Sequence, residues 1–174
     1  MKYFKRLVGE KVYLSPINVD DYPIYTKWVN NPNINKYLTI QNKLISLFNE
    51  KEILEVLSKE EFVFAIVKCD NDELIGNVGL QNIDYKNGNA ELGIFIGEED
   101  NLSKGYGSEA IKLLLSYAFN NLRLHNIMLT VYADNIRAIK AYTKCGFKEF
   151  GRRRETMFRD GHYIDLIYME IVNK

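Results

Sequence analysis

Leu102-Ser103-Lys104-Gly105-Tyr106-Gly107-Ser108-Glu109-Ala110 is the stretch whose residue types and spacing point most directly to chemistry. Two glycines beside a lysine stand ahead of apolar residues at Ile111, Leu114, Leu115, Ala118, Phe119 and Leu122. That spacing is one face of an amphipathic helix. The first N–H groups of a helix have no internal partner and the helix dipole is positive there, so such a start suits a polyanion. Glycine lets the main chain approach a phosphate closely. The amides from Lys104 to Ser108 are therefore expected to hold a pyrophosphate. A tight turn into a helix is the plainer alternative. Gly105 to Ala110 also fits the dinucleotide fingerprint G-x-G-x-x-G/A, which needs a glycine directly after a strand and an acid about 20 positions on. Here Glu98-Glu99-Asp100 intervenes and the region near His125-Asn126 has no acid, so the fit is weak.

The elements that must position this loop follow from periodicity and turn signals. Lys11 to Ile17 reads as a first strand, with Pro16 at an end or edge. Asn18 and Asp20 are cap types for a helix running to about Asn30, and Asn30-Asn31-Pro32-Asn33 stops it. Ile34 to Lys43 is irregular, with Tyr37, Leu38 and Ile40 as candidate substrate walls. A helix from Ser46 to Ser58 carries Leu47, Ile53, Leu54 and Leu57 inward. Phe62 to Lys68, Glu73 to Ile83 and Ala90 to Gly97 read as an antiparallel meander, turned by Asp70-Asn71-Asp72 and Asn87-Gly88. Gly76 and Gly79 are candidate bulges.

After the glycine loop come a helix, 106–121, and an apolar strand, Asn126 to Tyr132, of the kind buried at a parallel position. Strand 90–97, helix 106–121 and strand 126–132 thus form one β-α-β unit. Asp134-Asn135 caps a short helix, Ile136 to Lys144, which Gly146 ends. Phe147 to Met157 and His162 to Val172 make a last hairpin around Arg159-Asp160-Gly161. The expected class is α+β: an antiparallel meander plus one central parallel β-α-β pair, with helices on both faces.

Composition bounds the function. The 174 residues suit one domain, 1–174, with a full core. Lys plus Arg and Asp plus Glu both number 23, which removes the bulk electrostatic argument for nucleic-acid binding. No apolar run approaches the roughly 20 residues of a membrane span, and no signal-peptide core opens the chain, so a cytoplasmic location is expected. Cys69 and Cys145 form neither a disulfide framework nor a zinc site, and no metal is expected. Neither cysteine has the setting of a nucleophile.

Two motifs together resemble the GNAT superfamily of acetyl-CoA-dependent N-acetyltransferases. One is Lys104-Gly105-Tyr106-Gly107-Ser108-Glu109-Ala110 after a strand; the other is Asn135-x-x-Ala138-x-x-x-Tyr142-x-Lys144-x-Gly146-Phe147. The order of elements matches from Lys11 to Val172. Arg154, Arg159-Asp160-Gly161 and Asp165 look like the branch holding ribosomal-protein N-terminal and spermidine acetyltransferases. The family's loop usually opens with Gln or Arg where this chain has Leu102, so a side-chain contact is lost while the main-chain cradle is kept.

The resemblance implies that strand 90–97 splays from strand 126–132. The pantetheine arm of acetyl-CoA would pair with main chain at Ile94, Phe95 and Ile96, like an added strand. The pyrophosphate would sit on Lys104, Gly105, Tyr106, Gly107 and Ser108, with Leu102 counted among the cofactor-binding residues. An N–H at Ile94 or Phe95 would stabilise the oxyanion. Asn135 would bond the pantetheine arm, or act only as a helix cap. Tyr142 would protonate the departing thiolate, or only fill the core. Glu91 is the candidate base, with a solvated surface carboxylate as the alternative.

The reaction implied is acetyl transfer by direct attack in a ternary complex, without an acyl-enzyme. The acceptor is a primary amine, first a protein N-terminal α-amine and second a polyamine or aminoglycoside. The lack of acids in Tyr37 to Lys43 argues against a polyamine. A non-catalytic acyl-CoA-binding module is the rival from another class. No nucleic acid or membrane partner is expected, and a homodimer is left open.

Overall fold

The computed structural model describes residues 2–38 and 43–174, so Ile40 and its neighbours 39, 41 and 42 in the expected irregular segment lie outside the described residues. The chain divides into two compact units, residues up to Gly79 with Ile94–Leu113, and Leu80–Gly93 with Leu114–Lys174.

In the first unit β1 (Leu7–Val8), β2 (Val12–Pro16), β3 (Val63–Lys68) and the start of β4 (Leu74–Asp84) pair antiparallel in that order. The Gly97 N–H donates to the Ile75 carbonyl at 2.9 Å, fixing the end of β5 (Asn89–Ile96) beside β4. β1 is too short to show as a period in the sequence. It reaches only Leu14 and Tyr13 of β2, so Pro16 lacks an N–H where β1 asks for none. Ile66 faces Gly76 and Val67 faces Leu74, which leaves Ile75 as the extra residue of a bulge at the expected Gly76. Gly79 is not a bulge: it pairs in register with Val63, and an added Cβ would lie 2.9 Å from the Val63 Cγ2.

The first expected helix is split. Asn18 caps a 3-10 turn, Val19–Asp21, and α1 (Tyr22–Val29) starts afresh, with Pro23 in its first turn where a missing N–H costs nothing. A short α2 (Pro32–Asn35) follows. α3 (Leu47–Leu57) lies within the expected Ser46 to Ser58 and has Ser46 as its N-cap, but its inward stripe is Glu50, Leu54 and Leu57. Leu47 and Ile53 are exposed, because only one narrow face of α3 meets the core. That core gathers Tyr13, Tyr25, Trp28, Leu54, Ala65, Val67 and Leu74.

In the second unit β6 (Asn126–Tyr132) pairs antiparallel along its whole length with β8 (His162–Val172), and β8 pairs with β7 (Lys148–Arg159). Asp160 and Gly161, both at positive φ, close the hairpin. Ile127, Leu129 and Val131 are buried while the residues between are half-buried, so β6 alternates rather than being buried on both faces. α4 (Tyr106–Asn120) finishes in this unit, and α5 (Ile136–Lys144) lies wholly within it. Among the described residues no helix is long and apolar enough to cross a membrane.

Candidate active site

The glycine loop is built in the first unit. A 3-10 turn, Glu99–Asn101, ends at Leu102, whose N–H returns to the Glu99 carbonyl at 3.0 Å. Ser103 (φ 61°) and Gly105 (φ 89°) then take left-handed conformations on either side of Lys104. The chain enters α4 at Tyr106, and the Gly105 carbonyl accepts the Glu109 N–H at 3.0 Å. A Cβ at Gly105 would meet nothing nearer than the Lys11 Nζ, 3.6 Å away, so the space before the helix start is open. A Cβ at Gly107 would lie 3.6 Å from the Ile94 Cδ1 and 3.7 Å from the Ile96 Cγ1. The first turn of α4 thus rides on the end of β5, and the structure brings Ile94, Ile96 and the loop together. Open space, helix-start amides and nearby cations fit a diphosphate.

The end of β5 is held firmly. Trp28 is buried and donates Nε1–H to the Glu98 Oε1 at 2.8 Å, and the Lys27 ammonium meets the same oxygen at 2.8 Å. These two bonds keep the Glu98 carboxyl below the usual glutamate range. Phe95 packs against Trp28 with ring centroids 5.9 Å apart. Its carbonyl faces Gly76, where an added Cβ would lie 2.0 Å from that oxygen. Main-chain groups alternate sides along a strand. Ile94 and Ile96 therefore direct theirs away from β4, which leaves Ile94 rather than Phe95 as the outward donor. Beneath the loop, Glu73 takes bonds from Lys68 and Asn71, which lower its pKa, and the Lys68 ammonium lies 5.5 Å over the Tyr106 ring.

The remaining expected residues lie in the second unit. Glu91 is half-buried on β5, faces Met128 across the ladder, and accepts from the Asn82 Nδ2 at 3.1 Å. The parallel ladder has three pairs, Asn89/Asn126, Ala90/Ile127 and Glu91/Met128, and extends no further among the described residues. Asn135 caps α5, its side chain accepting the Ala138 N–H at 3.2 Å. Tyr142 is half-buried on α5, its ring 6.2 Å from that of Phe147. Burial, with Cys145 close by, pushes its phenol up to about 12. Burial likewise raises the Cys69 thiol, the opposite of what a nucleophile needs.

Two residues that the sequence reading passed over touch this site. Lys11 sends its Nζ to the Lys104 carbonyl at 3.1 Å, and Glu109 binds the turn that carries Lys11. A span of 98 positions separates Glu109 from Lys11, beyond any local period. The one signal available was a carboxylate in the first turn of a helix opened by a glycine loop.

Residues 11–148 match the model of the acetyltransferase (GNAT) domain. An uncharacterized N-acetyltransferase p20 of Bacillus licheniformis is 26% identical, covering 97% of this chain and 96% of that protein. A GNAT-family acetyltransferase of Bacillus anthracis has the same fold, with a TM-score of 0.84 at 17% identity over 95% of this chain and 97% of that one. A spermidine N-acetyltransferase of Vibrio cholerae, solved with CoA and spermine, aligns with a TM-score of 0.82 and 29% identity, covering 94% of this chain and 96% of that one.

Proposed function

From the premise that the chain belongs to the acetyltransferase (GNAT) family and is an acetyl-CoA-dependent acetyltransferase, we propose that its acceptor is an aliphatic polyamine. The observation that carries this reading is the 29% identity, over nearly the full length, to an enzyme solved with spermine. It puts the polyamine, which the sequence alone placed second, ahead of the protein N-terminal α-amine. A protein N-terminus is the second reading, supported by the Arg154, Arg159-Asp160-Gly161 and Asp165 pattern.

Acetyl-CoA supplies an activated acetyl thioester. The loop amides and the outward groups of Ile94 and Ile96 bind and orient it. A C–N bond forms as the C–S bond breaks, the amine loses a proton and the thiolate gains one. A lysine-like amine of pKa ~10.4 must shed its proton at pH 7 at a cost of about 4.6 kcal/mol, against about 1.4 kcal/mol for an α-amine near pKa 8. A base therefore matters most for a polyamine, and Glu91 takes that role. Tyr142 donates to the sulfur. Its phenol near 12 stands above a thiol of pKa ~8.5, so full transfer is uphill by roughly 5 kcal/mol and the proton moves late, as the thiolate departs.

The test is acetyl-CoA consumption over spermidine, spermine, N-terminal peptides and aminoglycosides. Turnover on polyamines should exceed that on peptides. It should rise with pH, and Glu91→Gln should lose most at pH 7 and recover at high pH. Peptides outpacing polyamines would sink the first reading in favour of the second.

A further inference from the structure

The charges around the start of α4 are arranged against the helix dipole. Lys104 stands in the loop, and Lys11 adds a second ammonium on the Lys104 carbonyl, 3.6 Å from where a Gly105 Cβ would be. Cations at a helix N-terminus are unfavourable, and carboxylates there are the usual remedy. α4 does carry a carboxylate in its first turn, Glu109, but it is turned to another task. Its Oε1 accepts the Glu10 N–H at 2.5 Å, and both of its oxygens accept the Lys11 N–H, at 3.2 and 3.1 Å. Gly9 lies so close that an added Cβ would be 2.2 Å from the same Oε1. The Lys11 carbonyl is taken by the Cys69 N–H at 2.9 Å. The main chain of Lys11 is thus pinned on both sides, while its side chain is exposed and aimed at the loop.

Resting on the reading of this loop as the diphosphate cradle, we propose that Lys11 contacts the pyrophosphate of CoA, and that Glu109 is the positioning residue that sets Lys11 in place. The lysine comes from the turn just before β2, not from the loop itself. Its ammonium meets a main-chain carbonyl, which leaves further N–H donors for a phosphate oxygen. A negative diphosphate relieves the cation–dipole conflict, so the protein gains affinity where the ligand-free molecule loses stability.

Calorimetric titration of CoA, 3′-dephospho-CoA and pantetheine separates the possibilities for the wild type, Lys11→Met, Lys11→Arg and Glu109→Ala. Lys11→Met should weaken CoA and dephospho-CoA equally, by about tenfold, and leave pantetheine unchanged. Lys11→Arg should recover most of that loss. The melting temperature of the ligand-free Lys11→Met protein should be unchanged or higher, whereas Glu109→Ala should melt lower and show the same phosphate-dependent loss. Wild-type affinity for CoA in Lys11→Met overturns the proposal. So does an equal loss on pantetheine, which marks a merely structural role, or a loss confined to CoA, which places the contact on the 3′-phosphate. A wild-type protein that binds none of the three overturns the acetyl-CoA reading itself.

Discussion

Gly105→Ala should separate the binding function of the loop from its folding. Gly105 has φ 89°, where an L-residue costs about 1–2 kcal/mol. Restricting the unfolded chain returns about 0.4–1 kcal/mol of that. No clash adds to it, since the nearest atom to the new methyl is the flexible Lys11 Nζ at 3.6 Å. The net loss is about 1 kcal/mol, or a fall in melting temperature of roughly 2–4 °C for a chain of this size. The methyl enters the open space where the diphosphate is expected, so KM for acetyl-CoA should rise at least tenfold, about 1.4 kcal/mol. Gly79→Ala is the control. There the Cβ would lie 2.9 Å from the Val63 Cγ2 and 3.0 Å from the Phe62 carbonyl oxygen, an overpacking worth about 1–3 kcal/mol. It should melt at least as low as Gly105→Ala yet keep the wild-type KM. Initial-rate kinetics with a thermal-shift scan measure both. A Gly105→Ala enzyme with normal KM, or a Gly79→Ala enzyme with an equally raised KM, would refute the reasoning.

Tyr142→Phe should lower kcat by about 10–100-fold with KM for acetyl-CoA unchanged, as expected when a donor used only in the transition state is lost; steady-state rates with unchanged kcat would remove Tyr142 from the chemistry. Alkaline titration should destabilise the fold. Burial raises the phenols of Tyr13, Tyr25 and Tyr142. Stability from them is complete below the unfolded value near 10 and falls as pH rises toward 12, because unfolded phenols then ionise first. Equilibrium unfolding at pH 9, 10 and 11 checks this. Glu98 works in the opposite direction: its lowered pKa contributes above the ordinary glutamate value near 4.3 and is lost as pH falls through the folded value. Trp28 fluorescence during acid titration should report that loss, and Glu98→Gln should blunt it.

Much of the fold was legible because its elements carry local signals. Asn18 and Asn135 are side-chain caps with their bonds in place, Asp160-Gly161 makes a tight hairpin turn, and Gly76 marks a bulge. Periodicity misled where burial depends on what lies opposite. The apolar run of β6 alternates in burial, and α3 turns Glu50 inward while Ile53 faces out. The loop was legible as glycines before a helix and Asn135 as a helix cap, whereas the roles proposed for Tyr142 and for Asn135 at the cofactor came only from the second motif. Lys11 and Glu109 were illegible because their bonds join the turn before β2 to a loop and helix far along the chain.

The measurement closest to the central claim is an amide-resolved NMR titration of the protein with CoA. The N–H resonances of Gly105, Tyr106, Gly107 and Ser108 should shift together and saturate with one dissociation constant, and pantetheine should leave them in place. Saturable CoA binding that moves other amides while these four stay still would contradict the account.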